Sequence, residues 1–172
     1  MLMDHSMFWR IIQTAKDGAQ GDQDKQLDLI REALIQLPAE SIIAFDHIMD
    51  EYRALSYRRD LWAAATIINA GCSDDGFDYF RAWLIAQGRR VFESALQNPE
   101  TLHEVIVMDP DWEAGCEGFL YVALEAYEQK TGRDMPIHPA PPQKLTGLAW
   151  SEDIDEMFPE LSRKASSRWD RA

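Results

Sequence analysis

The chain has 172 residues, a length that suits one domain. Hydrophobic residues make up 46% and charged residues 27%, an ordinary globular composition, while 30 acids against 17 basic residues give a formal net charge of −13. That balance argues against a nucleic-acid-binding surface and against adhesion to anionic lipid, since both need clustered cations.

The apolar spacing is helical almost throughout. A first helix is expected over Asp4–Ala19, with Phe8, Ile11, Ile12 and Ala15 on one face and Gly18 and Gly21 ending it. Asp22 suits the cap of a second helix carrying Leu27, Ile30, Leu34 and Leu37. Pro38 suits the first turn of a third, with Ile42, Phe45, Ile48, Met49, Tyr52 and Leu55 as its stripe. Asp60 opens a fourth helix through Ala70, and Gly71 is its expected left-handed stop. Ser73 caps a fifth, with Asp74 and Asp75 in the first turn and Phe77, Phe80 and Leu84 as its stripe. Arg89–Gln97 reads as helical again, and Asn98-Pro99 starts a short helix through about Ile106. Asp109-Pro110 starts a long last helix to Thr131, stopped by Gly132.

The tail differs. Pro136, Pro139, Pro141 and Pro142 forbid regular structure over about 133–147, and Ile137, Leu145, Leu148 and Trp150 are the expected pins of this strap. Residues 151–158 suit one short helix, and the end from Ser162 is expected to fray. No window alternates at period two. The expected fold is therefore all-α: a compact single-domain bundle of about six to eight helices over 5–132, with a Pro-rich strap, short helix and frayed tail over 133–172.

No apolar run reaches the roughly 20 residues a membrane span needs. Asp4, His5 and Trp9 stand where a signal peptide needs a basic and then an apolar region, so the expected location is cytoplasmic. Cys72 and Cys116 are too few for a disulfide framework and are expected as free thiols.

The densest stretch of unusual residues is Asp60–Gly88, D-L-W-A-A-A-T-I-I-N-A-G-C-S-D-D-G-F-D-Y-F-R-A-W-L-I-A-Q-G. Together with Phe8-Trp9-Arg10-Ile11-Ile12, Ile42–Asp46 and Phe119–Gly132, it resembles the bacterial family catalogued as domain of unknown function 4240. The resemblance covers about residues 5–132, with the Asp60–Ile85 block matched without a gap. It implies a fold and a cytoplasmic location and no reaction.

Read from the residues alone, Asn69–Arg81 is a helix–helix corner. Asn69 lies at one helix end; Ser73, Asp74 and Asp75 lie at the next start. Asp75 and Tyr79 project within one turn of each other, and Arg81 can reach back to Asp78 or Asp74. The plain account is a capped corner braced by an Asp–Arg pair. The sharper account is a ligand or cation pocket built by Trp62, Asn69, Ser73, Asp74, Asp75, Tyr79 and Arg81, with Trp62 as a wall. Two acids alone make a poor metal site. Asp109-x-Asp111-x-Glu113 fails as a calcium loop, having Ala114 and Leu120 where Gly and Glu are needed. His5, His47, His103 and His138 show no metal-ligand spacing, and no nucleophile elbow or phosphate loop is present, so no catalytic residue, metal or cofactor is assigned.

The acidity is uneven. Residues 99–132 hold eight acids and one base, Lys130, while 61–98 hold four acids and three bases. The expected role is a non-enzymatic protein-interaction module, immunity- or antitoxin-like or regulatory, whose acidic helical face meets a basic protein. The rival is a small-ligand- or cation-binding protein or enzyme with its site at the Asn69–Arg81 corner. A homodimer without catalytic role is a third reading.

Overall fold

The structure, a computed structural model, describes residues 3–171. Met1 and Leu2, at the start of the segment read against a leader, and Ala172, the end of the expected tail, lie outside them. Among the described residues there is no β-strand; eight α-helices are joined by 3-10 turns.

Helix α1 spans His5–Ala19, and Asp4 caps it by accepting the Met7 N–H at 2.7 Å. Helix α2 spans Gln23–Ile35 behind the Asp22 cap, and α3 spans Ala39–Leu55 behind Pro38. Helix α4 spans Arg59–Asn69, α5 Asp74–Ala86 and α6 Arg89–Gln97. Gly88, at φ +94°, makes the break between α5 and α6. Helix α5 is the hub: it touches α1, α3, α4 and α6. Phe77 and every residue from Phe80 to Ala86 are buried, as a helix enclosed on all sides requires. Helix α7 spans Val122–Thr131 and packs on α2 and α3.

Four expectations are corrected here. Leu55 is 55% exposed and leaves the α3 stripe. The left-handed residue ending α4 is Ala70, at φ +54°, one position before Gly71. Asp60 does not cap α4; it sits inside the first turn, 4% exposed, gripped by both arms of Arg58 at 3.0 and 2.6 Å.

The fourth correction concerns 109–131. A 3-10 turn covers Pro99–Val105, residues 106–116 form no helix, and a second 3-10 turn at Glu117–Leu120 leads into α7. The backbone of the loop finds partners elsewhere. The Asn69 amide donates to the Ala114 carbonyl at 3.1 Å and accepts its N–H at 2.9 Å, and the Cys116 N–H donates to the Tyr79 carbonyl at 3.0 Å. Gly115 and Gly118 lower the cost of leaving the helix. The acids of 99–132 therefore do not share one helical face.

The strap over 133–153 is irregular, as its prolines require. Of its four expected pins, Trp150 holds through a hydrogen bond and Leu145 is half-buried, while two fail. Ile137 and Leu148 are 101% and 72% exposed. The anchors are Met135 (buried), His138 on Asp46 at 2.7 Å, Gln143 on Arg81 at 2.9 Å, and the Trp150 indole N–H donating to the Arg59 carbonyl at 2.6 Å. Thr146 bridges the α3–α4 connection, accepting from Arg59 at 2.8 Å and donating to Tyr57 at 3.2 Å. Gly147 (φ +83°) crosses Asp60 so closely that a Cβ would lie 2.7 Å from its carboxylate.

The end of the chain does not fray at Ser162. A 3-10 turn at Ile154–Glu156 replaces the expected helix, and α8 spans Pro159–Ser166, packing on α4 and the Pro99–Val105 turn. Leu161, Ala165 and Arg168 are buried, and Glu100 caps α8 by accepting the Glu160 and Leu161 N–H groups at 2.5 and 3.2 Å.

Candidate functional site

The corner divides its expected site residues among several tasks. Asn69 is spent on the Ala114 backbone. Ser73 is the helix cap, its hydroxyl accepting the Gly76 N–H at 3.1 Å. Asp74 and Asp75 are exposed first-turn carboxylates and not caps. Tyr79 donates to Glu117 at 3.3 Å, and that carboxylate holds the phenol above its ordinary value. A test separates these roles. Ser73→Ala should destabilise the fold by about 1 kcal/mol, whereas Asp74→Asn, at an exposed first-turn carboxylate, should change it by only about 0.3 kcal/mol, both read by urea denaturation.

Trp62, Asp74 and Arg81 do converge. With Tyr57, Asp78 and Gln143 they line a pocket of about 300 Å³. Trp62 is fixed by its indole N–H, which donates to the Cys72 carbonyl at 3.0 Å, and by stacking on Phe77 at 4.7 Å between centroids. On its other side lies a hollow of about 380 Å³ formed with Arg59, Leu145, Ala149 and Trp150.

Arg81 is the unusual group. It is 1% exposed, with its guanidinium carbon 4.8 Å from the Tyr57 ring centroid and 5.1 Å from that of Phe77. It donates to the Arg53 carbonyl at 2.6 Å, to the Gln143 amide oxygen at 2.9 Å and to the Asp78 carboxylate. Its Nε is buried without a partner, as is that of Arg53. Burial pulls its pKa down, against the pull of Asp78 and with the push of Arg53. Asp78 is thus neutralised, while Asp74 has no hydrogen-bond or ion-pair partner among the described residues. The pocket therefore offers one free carboxylate beside two aromatic walls, and one cationic fork whose outward acceptor is an amide from the strap.

Arg81's pairing with Asp78, one helical turn back, was legible as a spacing. Tyr57 and Gln143 were not: Gln143 lies 62 residues from Arg81.

A larger cleft of about 720 Å³ lies elsewhere, between the α1–α2 turn and the 105–115 loop. Its rim carries Asp17, Asp22, Asp24, Asp111 and Glu113, and Trp83 and Trp112 meet edge-to-face in its wall at 5.7 Å. Lys16, its one basic lining residue, points its amine at the Gln87 carbonyl at 2.8 Å. Other acids of 99–132 are engaged singly: Glu125 with Arg31 at 2.7 Å, Glu117 with Tyr79, and Glu100 at the start of α8.

Neither cysteine is tuned as a nucleophile. Burial pushes both thiols up to about 11, with Glu113 adding to the effect at Cys72. Iodoacetamide should therefore label half-buried Cys72 in the folded protein more slowly than free cysteine at pH 8, with the rate rising steeply toward pH 11.

No helix is long and apolar enough to cross a membrane among the described residues. A family model described as "Protein of unknown function (DUF4240)" matches residues 3–129. No curated protein and no solved structure matches the chain.

Proposed function

We propose, starting from a chain that belongs to the DUF4240 family of proteins of unknown function, that it binds a small polar molecule in the Trp62–Asp74–Arg81 pocket. One observation carries the reading: a guanidinium 1% exposed, with an orphaned Nε, rests against the Tyr57 and Phe77 rings at the edge of a 300 Å³ polar pocket. A buried cation with incomplete partners costs several kcal/mol unless it is well paired, and such groups concentrate at functional sites.

The pocket's chemistry defines the ligand. The Asp74 carboxylate beside the Trp62 and Tyr57 rings suits an amine or guanidinium, which gains both an ion pair and a cation–π contact. Gln143 presents an amide oxygen to Arg81. A ligand carboxylate or amide carbonyl would take that acceptor position as the strap gives way. The class is thus an amino-acid-like zwitterion or a short amide-bearing amine. Nothing in the lining resembles a nucleophile with its base, so the reading is of binding without turnover. The cytoplasm, where Cys72 and Cys116 stay reduced, is the location that goes with it.

Thermal shift with a panel of free amino acids, agmatine and short amidated peptides tests this. The reading expects at least one compound to raise the Tm of the natural chain and not that of Asp74→Asn. Equal shifts in both chains, or none with any compound, contradict it.

A second reading, recognition of a basic protein, is favoured by the acidic cleft of about 720 Å³ with its Trp83–Trp112 wall. An immunity- or antitoxin-like role fits that surface. It expects a lysate partner that is retained at low salt, released at high salt, and lost when Asp22, Asp24 and Asp111 are changed together to Asn.

A further inference from the structure

A second cluster lies on α3, one residue removed from the pocket: Arg53 holds Asp50, and the Arg53 carbonyl accepts from Arg81. Asp46 and Asp50, four residues apart, stand on one face of α3. The strap brings His138 onto them across 92 residues of sequence, its Nε2 2.7 Å from the Asp46 carboxylate. One ligand atom from each of the three lies within 4.8 Å of the others. Asp46 is 8% exposed, and the side chains of Asp50 and His138 are 13% and 15% exposed. The His47 ring packs against the His138 ring, with centroids 3.6 Å apart, and fixes the imidazole over the carboxylates.

We infer that Asp46, Asp50 and His138 bind a divalent first-row transition-metal ion. Two desolvated carboxylates set side by side repel each other, and a dication between them reverses that repulsion. Donor atoms sharing one such ion lie about 3.0 to 4.2 Å apart, given metal–ligand lengths near 2.1 Å, so the 2.7 Å His138–Asp46 contact would open, and any separation near the 4.8 Å limit would close, by several tenths of an ångström. Calcium needs six or more oxygens and is a poor match for a site with an imidazole and two carboxylates. Manganese, iron(II), cobalt and zinc accept this mixed set and keep open positions for water. Arg53 holds one Asp50 oxygen at 3.0 Å and leaves the other for the ion. The ion would tie the strap to α3, a positional role that the His138–Asp46 hydrogen bond fills alone without it.

The test uses the full chain without an affinity tag, titrated with Zn²⁺ and Mn²⁺ by calorimetry and with Co²⁺ by its visible absorption. The expected result is one ion per chain with micromolar or tighter affinity, weakened at least tenfold in both His138→Ala and Asp50→Asn and unchanged in Asp74→Asn. Because the Asp50 and His138 side chains are only 13% and 15% exposed, circular dichroism checks that both variants are folded before their affinities are compared. Absence of binding below millimolar metal, or an unchanged affinity in either variant, overturns the inference. The Asp74→Asn arm keeps this outcome distinct from that of the pocket.

Discussion

Arg81→Ala is expected to destabilise the protein by about 3 kcal/mol, the scale for removing one partner of a buried charged network. Three losses add. The Arg53 carbonyl loses its 2.6 Å donor, Gln143 loses its hold on the helix bundle, and the space beside the Tyr57 and Phe77 rings empties. The ion pair with Asp78 is the smaller share, because the Asp78 side chain is 41% exposed and can turn to water. Asp78→Asn is therefore expected to cost less than about 1 kcal/mol. Urea denaturation of the two variants decides. Equal effects would mean that the pair, and not the aromatic seat and the carbonyl, holds Arg81 in place.

Arg168→Ala is expected to cost about 3 kcal/mol and to release the end of the chain. This guanidinium is 1% exposed and has no carboxylate partner among the described residues. It is satisfied by backbone carbonyls: Trp112 at 3.1 Å, Ala165 at 3.4 Å, and Ile68. Ile68 stands in the last turn of α4, where the helix dipole favours a cation. The rings of Trp112 and Trp169 flank the charge, 5.4 and 5.1 Å away. One side chain thus joins α8, α4 and the 106–116 loop. Limited trypsinolysis reads the consequence: cleavage at Arg163 and Lys164 is expected to be slow in the natural chain and fast in Arg168→Ala. Equal cleavage in both would show that Leu161 and Ala165 suffice to seat α8.

Most of the helices were legible because their causes are local. Asp22 and Ser73 cap the helices that their positions announce, and the apolar period of 3.6 marks α1 to α6. What was not legible depends on contacts remote in sequence. Residues 109–116 carry a helix-start pattern, yet Asn69, 45 positions away, captures the Ala114 backbone and holds the segment open. Arg168, beyond a proline-rich strap and close to Arg163 and Lys164, looks like a solvated charge until three carbonyls from separate segments enclose it.

The candidate site divides the same way. Trp62, Asp74 and Arg81 stand in one distinctive block and meet in one pocket, whereas Asn69 and Ser73 owe their residue types to the backbone bonds they make. Tyr57 and Gln143 belong to a connection and a strap that carry no pattern of their own. His138 gives no metal spacing along the chain, because its carboxylate partners lie on a helix 92 residues earlier. The proline-rich strap proves central to the surface chemistry: Gln143 closes the Arg81 pocket and His138 covers the Asp46–Asp50 pair.

The most direct measurement of the proposed binding is the Trp62 indole N–H signal in a ¹⁵N–¹H spectrum during titration with the compound that gives the largest thermal shift. That N–H is fixed on the Cys72 carbonyl at the pocket wall and is assignable with Trp62→Phe. Binding beside Asp74 predicts a saturable shift of this signal in the natural chain, abolished in Asp74→Asn. A Trp62 signal that stays still through saturation, or moves equally in Asp74→Asn, would contradict the pocket as the ligand site.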